Sequence, residues 1–300
     1  MTLGVTVITF ALLHALPGNL GRDLIANPKA TPQAIAQFDQ QNGLTGSIWV
    51  QYWKFLDKLL HGNLGFSFRF DRSVDSLLAT DLPRDLVLGG ISLFLSLVIA
   101  IPIGIAQAVK RNGVADYAGT AVSFILYSMP QYAVALLLIQ LLSITFKIFP
   151  PEAPDGSWLY MLEHPAGLVL PIGSLTLVSY AYFSRYMRSS AIDTLAQDYI
   201  RTARAKGLPE RLVLLRHLLR NSVLTVVTLI GVSVPSIVTG TLITEQVFNL
   251  PGAGLEYFNA AVNSDYEVML GITVLVGVVT VLGNLLADIA YALLDPRIRY

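Results

Sequence analysis

Apolar residues gather into six long runs separated by polar stretches: Thr2–Leu16, Leu86–Val109, Tyr117–Phe146, Gly167–Ser184, Val223–Val247 and Val268–Leu294. A bilayer core about 30 Å thick takes about 20 mainly apolar residues per helix. Backbone amides and carbonyls find no water in lipid, so such runs read as helices. The pattern predicts an all-α membrane protein with six spans. Thr2–Leu16 is short and no basic residue precedes it. A charged n-region and a cleavage site are both missing, which argues against a signal peptide. A first helix clipped at its start is the expectation. The chain divides into a first span at 1–17, an extracytoplasmic segment at 18–85 and a core at 86–300. That core holds five spans and a cytoplasmic loop at 185–222.

Composition agrees. At 54% hydrophobic, 13% charged and a mean hydropathy of +0.60, the chain is too apolar for an ordinary soluble domain. Zero cysteines exclude disulfides, Fe–S clusters and thiol catalysis. The net charge of zero says little, the placement of charge says more, and no nucleic-acid partner is expected. Lys110 and Arg111 follow the second run, eight Lys and Arg fill Arg185–Arg220, and Arg297 and Arg299 sit at the end. The alternate loops, Phe149–Ala166 and Asn249–Glu267, carry acidic residues and no Lys or Arg. By the positive-inside rule both termini are cytoplasmic.

Within 18–85, Thr31-Pro32 reads as a helix start and Asn42-Gly43 as a stop. Ile48, Tyr52, Phe55 or Leu56, and Leu59 recur at helical spacing, with Trp49 and Trp53 nearby and Gly62 as a C′ residue. That suits either a helix at the membrane interface or one packed on the spans.

Pro102, Pro130, Pro171 and Pro235 fall inside the spans, where each removes a backbone hydrogen bond and tends to kink its helix. Small and polar groups cluster around them: Ser128, Gln131 and Tyr132; Ser174, Thr176, Ser179, Tyr180 and Tyr182; Ser233, Ser236 and Thr239. In lipid these should face the protein interior. Gln131, Tyr180, Tyr182 and Ser236 are the candidates for a translocation pathway, with helix joining as the plainer alternative.

The chain lacks the usual machinery. It has no G-x-x-x-x-G-K-S/T nucleotide loop, no H-E-x-x-H and no G-x-S-x-G. His14, His61, His164 and His217 have no ligand spacing, so no metal site is expected. Arg185, Arg188, Glu245 and Asp288 lie towards the ends of their runs, whereas a gradient-driven carrier would carry an ionisable group mid-span. An enzymatic role is not expected.

The basic segment Arg185–Asn221 has internal order. Asp193–Lys206 reads as a helix that stops at Gly207, and Pro209 restarts a second helix to about Asn221. Ala203 and Gly207 leave a small-residue surface for close approach. Tyr199, Ala203 and Lys206 fall on one side. In the second helix Leu212, Leu215 and Leu219 form one face, with Arg216 and Arg220 on another. Such an elbow suits a docking contact, and a plain solvated loop is the alternative.

At Asp198-Tyr199-Ile200-Arg201-Thr202-Ala203-Arg204-Ala205-Lys206-Gly207-Leu208-Pro209-Glu210 the chain resembles the permease subunits of ATP-binding-cassette importers, in their dipeptide/oligopeptide/nickel branch. Gly207 and Ala203 match the glycine and second alanine of that family's EAA motif, while Arg201 and Thr202 replace its glutamate and first alanine. Leu16-Pro17-Gly18-Asn19, His61-Gly62-Asn63-Leu64-Gly65-Phe66-Ser67, Phe248-Asn249-Leu250-Pro251-Gly252-Ala253-Gly254 and the ending Asn284–Tyr300 are similar to further family elements, in order across the chain.

The resemblance implies a type I importer permease of the bacterial inner membrane, translocating peptides, nickel chelates or glutathione. It implies a second homologous permease, two ATPase subunits that hold ATP and Mg, and an extracytoplasmic solute-binding protein. The chain itself would bind no cofactor. The loop around Gly207 would insert into a groove of the ATPase.

Overall fold

The computed structural model describes residues 4, 6–8, 10, 11, 46–67, 70–239, 241–263 and 265–294. Most of the first run, the Thr31-Pro32 and Asn42-Gly43 signals, the Leu16–Asn19 element and residues 295–300 lie outside them; residues 6–8, 10 and 11 are helical.

Helix α1 (Ile48–Leu60) ends at His61, and Gly62 follows with φ +74°, as the sequence suggests. Strands β1 (Phe66–Ser67) and β2 (Arg72–Ser73) form a small antiparallel pair, Phe66 opposite Ser73. Helix α2 (Val74–Val109) begins at once, its Ser73 Oγ accepting the Ser76 N–H at 3.3 Å. At about 1.5 Å per residue it is roughly 54 Å long, far more than a bilayer core needs.

The expected boundary between 85 and 86 therefore cuts through one continuous helix. Asp75, Asp81, Arg84 and Asp85 hide that continuity from a hydropathy reading. Pairing explains how a helix carries such charges into its packed part: Arg84 Nη1 lies 3.0 Å from Asp81 Oδ1 one turn away, Arg84 Nε donates to the distant Gly156 carbonyl at 2.7 Å, and Asp85 accepts the Ala253 N–H.

Helix α3 (Val114–Ser128) and helix α4 (Gln131–Leu138), which continues in π-helical turns over Ile139–Thr145, meet at a 105° bend. The run Tyr117–Phe146 is thus a broken element. Met129 precedes Pro130 and is forced into the extended region (φ −79°, ψ 134°). After α5 (Trp158–Glu163) a 3-10 turn at Pro165–Leu168 leads into α6 (Val169–Leu195). Helix α7 (Asp198–Ala205) follows. Helix α8 (Glu210–Leu212) passes through π-helical turns at Val213–Leu218 into α9 (Leu219–Thr239). Short α10 (Leu242–Val247) and α11 (Ala253–Asn263) precede α12 (Tyr266–Leu294).

Among the described residues four helical stretches are long and apolar enough to cross a membrane: Val74–Val109, Pro165–Leu195, Glu210–Ile237 and Glu267–Leu293. The bent α3–α4 pair makes a fifth if it is one span. The run Val223–Val247 is therefore displaced, starting at Glu210 and ending near Thr239 before α10. Gly167–Ser184 is likewise too short, since its helix continues to Leu195.

Close helix approach relies on absent side chains. A Cβ on Gly231 would meet Ala287 Cβ at 2.5 Å, and one on Gly283 would meet the Gly231 carbonyl at 3.0 Å, so α9 and α12 touch backbone to backbone. Polar pairs join other helices, as Ser123 with Ser184 (3.1 Å) and Ser190 with Thr225 (3.1 Å). Of the polar residues expected inside, Ser174, Thr176 and Tyr180 are buried, whereas Ser128 and Tyr132 are exposed.

Candidate functional site

The elbow at 198–210 is built from local chemistry first. Gln197 is extended (φ −73°, ψ 145°) and starts α7, with Asp198 in the first turn, where the helix dipole favours a carboxylate. The helix ends in a Schellman motif: the Gly207 N–H donates to the Arg204 carbonyl at 2.9 Å and the Leu208 N–H to the Ala203 carbonyl at 3.4 Å. Gly207 has φ +74°, a conformation glycine adopts without steric cost, and a Cβ there would meet nothing within 4 Å. Its backbone conformation explains the glycine; packing does not. Pro209 is the residue before α8 rather than its first helical residue.

Ile200 and Ala203 are buried against Val213, with Leu195 and Leu208 alongside, so α7 folds back onto α8. This corrects the expected small-residue surface: Ala203 faces inward, and its size lets the two helices close. Asp198, Tyr199, Arg201, Thr202, Arg204, Ala205, Lys206, Gly207 and Glu210 are exposed, and Leu208 is half-buried. Arg204 and Glu210 clamp the turn with two bonds of 2.6 and 3.1 Å. That bidentate hydrogen bond raises the Arg204 pKa above its ordinary value.

The second helix presents a different face from the one expected. Val213 and Leu218 are fully buried, while Leu212 and Leu215 are exposed at 37% and 54%. The π turns at Val213–Leu218 shift the angular phase, so a count at 3.6 residues per turn selects the wrong stripe. The segment also begins later than Arg185. Arg185 and Arg188 belong to α6, Arg185 lying over the Tyr127 ring at 4.6 Å. Arg188 grips Asp116 with bonds of 2.6 and 2.8 Å.

A cavity of about 350 Å³ lies between α2, α6 and α9, with Tyr127 of α3 and Gln131 of α4 at its edge. Gln131, Tyr182 and Ser236 line it together with Ser92, Ser179 and Ser233. Gln131 Nε2 donates to Thr244 Oγ1 at 2.8 Å. Tyr180 does not join them. Two residues on from it, Tyr182 points about 200° away round the helix, and Tyr180 packs with Ala100, Phe183 and Val226.

A third constellation escaped the sequence reading. Asp85 Oδ2 accepts the Ala253 N–H at 2.9 Å, and Glu245 Oε2 accepts the Leu255 N–H at 2.6 Å. The Thr241 hydroxyl also donates to Glu245. Both carboxylates are fully buried and cap the amides that open α11. A Cβ on Gly252 would lie 2.5 Å from Asp85 Oδ1 and 2.6 Å from Glu245 Cδ, so the Pro-Gly-x-Gly element must be bare there. Nearby, the Ser67 hydroxyl donates to the Asp265 carboxylate, and a Cβ on Gly65 would run into Glu267. The signal was present in the sequence as acidic residues at the margins of apolar runs. Their partners were not.

Residues 100–300 match the family model "Binding-protein-dependent transport system inner membrane component", and residues 1–89 match its N-terminal membrane-component counterpart. The oligopeptide transport system permease protein AppB of Bacillus subtilis is 38% identical over 99% of this chain and 95% of its own length. OppB of Haemophilus influenzae, also an oligopeptide transport system permease protein, is 35% identical over 97% and 93%. A chain from an inward-facing MetNI methionine ABC transporter has a TM-score of 0.59 at 18% identity, covering 73% of this chain and 96% of that one; it shares the fold. With these matches spanning both ends, the chain belongs to the family of inner-membrane components of binding-protein-dependent transport systems.

Proposed function

We propose that the chain is one permease subunit of an ATP-driven peptide importer in the bacterial inner membrane. It crosses six times, keeps both termini in the cytoplasm and pairs with a homologous second permease. Two ATPase subunits, which hold the ATP and Mg, dock on the elbow, and an extracytoplasmic binding protein delivers the substrate to the opposite side. The oligopeptide permeases AppB and OppB support peptide as the cargo. The Lys and Arg bias of alternate loops supports the orientation.

One observation carries the coupling role. The elbow joins two of the helices that line the cavity: α7 follows α6 after Ala196 and Gln197, and α8 runs through π turns into α9. Ser179 and Tyr182 come from α6, and Ser233 and Ser236 from α9. A partner that displaces the clamped turn at Arg204–Glu210 therefore acts on α6 and α9 together, while α2 and α4 line the rest of the cavity. Its binding energy shifts the cavity only through different affinities for the two states.

The chain has no cysteine, so one introduced at Tyr199 or Lys206 reports unambiguously. In vesicles holding the whole transporter, such a cysteine should crosslink to the ATPase, and uptake should vanish when the ATPases are left out. Labelling of that cysteine from the binding-protein side, or full-rate uptake without ATPases, overturns the proposal.

A further inference from the structure

Helix α1 has three faces. At about 100° per residue, Tyr52, Phe55 and Leu59 lie on one side. Trp49, Trp53 and Leu60 form a stripe roughly a quarter-turn away; exposed Lys54 lies on the remaining side, and half-buried Lys58 lies near Glu267. The first face is occupied. The Tyr52 and Phe55 rings sit 5.3 and 5.8 Å from that of Phe10, the Tyr52 hydroxyl is 3.0 Å from Thr6 Oγ1, and Phe55 packs on Leu270. The second face is bare: Trp49 is 73% exposed, Trp53 70% and Leu60 84%.

Its position narrows what can cover it. Phe10 belongs to the first apolar run, and Leu270 stands one turn into α12. Helix α1 thus leans on the flank of two apolar helices, near the end of one of them. A helix in the corner between a membrane-spanning bundle and the bilayer surface needs one face for the bundle, an apolar face about a right angle from it, and a polar face for water. That order is the one α1 has. Tryptophan is the side chain that favours the headgroup level, with its ring in the hydrocarbon margin and its N–H towards water.

We propose that α1 is an interfacial anchor whose Trp49, Trp53 and Leu60 enter the phospholipid surface at that end of α12. The inference rests on the membrane-spanning reading, and on neither the elbow contact nor the peptide cargo.

The chain has three tryptophans, so Trp158→Phe leaves Trp49 and Trp53 as the reporters. The complete transporter carrying this change, with Trp-free or background-subtracted partners, is placed in phosphatidylcholine vesicles with and without bromine near the top of the acyl chains. Emission should fall by about half or more in the brominated lipid, and aqueous iodide should quench weakly. Equal emission in the two lipids overturns the anchor. Iodide quenching would then place the stripe in water, and its absence would place it under protein. If Trp158→Phe does not fold, the wild-type chain is compared with Trp49→Phe/Trp53→Phe, which should lose the lipid-quenched component. ATP-driven uptake in the same vesicles tests the importer reading separately: lipid quenching without uptake leaves the anchor standing and sinks the transport proposal.

Discussion

Asp85 and Ala253, 168 residues apart, are joined by a hydrogen bond of 2.9 Å from the Ala253 amide to the Asp85 carboxylate. The bond fixes the start of α11 to the first half of α2. Glu245 fixes the same turn from α10 through Leu255. Two fully buried carboxylates therefore hold a Pro-Gly turn whose glycine leaves room for them.

Truncating Asp85 should leave the Ala253 amide buried without an acceptor. Asp85→Ala is expected to destabilise the protein by about 1–3 kcal/mol, and Asp85→Asn, which keeps a carbonyl oxygen, by less. Gly252→Ala should be worse tolerated than Gly90→Ala, because its Cβ meets Asp85 and Glu245 inside 3 Å whereas one on Gly90 meets nothing within 4 Å. Thermal unfolding in detergent measures all four. Equal midpoints for Gly252→Ala and wild type would show that the turn has slack.

Arg188 and Asp116 tie α6 to the first turn of α3, and Asp116 also accepts the Asn112 N–H at 2.9 Å. Removing one partner of a buried pair leaves the other charge uncompensated, which costs about 3–5 kcal/mol when burial is complete. Arg188 is 27% exposed in its side chain, so Arg188→Ala should cost less than that, about 2–3 kcal/mol. The double change Arg188→Met/Asp116→Leu should recover part of the loss. A double-mutant cycle with no coupling would refute the pairing.

Gly207 separates conformation from contact. Asn tolerates positive φ, so Gly207→Asn should keep most ATP-dependent uptake. Gly207→Arg should abolish uptake while the protein remains inserted, because its long side chain projects from an open surface where the ATPase is proposed to sit. Uptake and membrane content are measured together. Normal uptake by Gly207→Arg would remove the elbow from the docking surface.

The cavity makes a contrast between neighbours. Substituting Tyr182 and Ser236 by Ala and Gln131 by Asn should alter uptake rate or peptide preference, with Gln131 also losing its bond to buried Thr244 and so lowering the thermal midpoint modestly. Tyr180→Ala should lower the midpoint further, since truncating a buried aromatic of this size costs about 3–5 kcal/mol. Competition assays with peptides of different length read the first effect. Unchanged uptake and preference in the triple variant would exclude those three side chains from the pathway.

Much of this architecture is written in short-range chemistry. The stops at Gly62 and Gly207 are legible because positive φ favours glycine, and the helical class follows from apolar runs that cannot leave backbone groups unpaired in lipid. The elbow's turn follows from the same signals, Gly207 with Pro209 just after it, whereas its start does not: α6 runs to Leu195 and α7 begins at Asp198. Pro130 announces a kink within Tyr117–Phe146 but not its size, which no proline fixes: here Met129 turns extended and the bend reaches 105°.

What the amino-acid order determined by itself was the helical class, the stops at Gly62 and Gly207 and the resemblance to the family, since these rest on apolar runs and on neighbours within a few residues. Which way Ala203, Tyr180, Val213 and Leu215 face was decided only by tertiary structure. A π turn resets the angular phase, and a packing partner selects one side of each helix. The Asp85–Glu245 clamp is the clearest case. A buried carboxylate is tolerable only where donors meet it, and its donors arrive from chain far away in sequence.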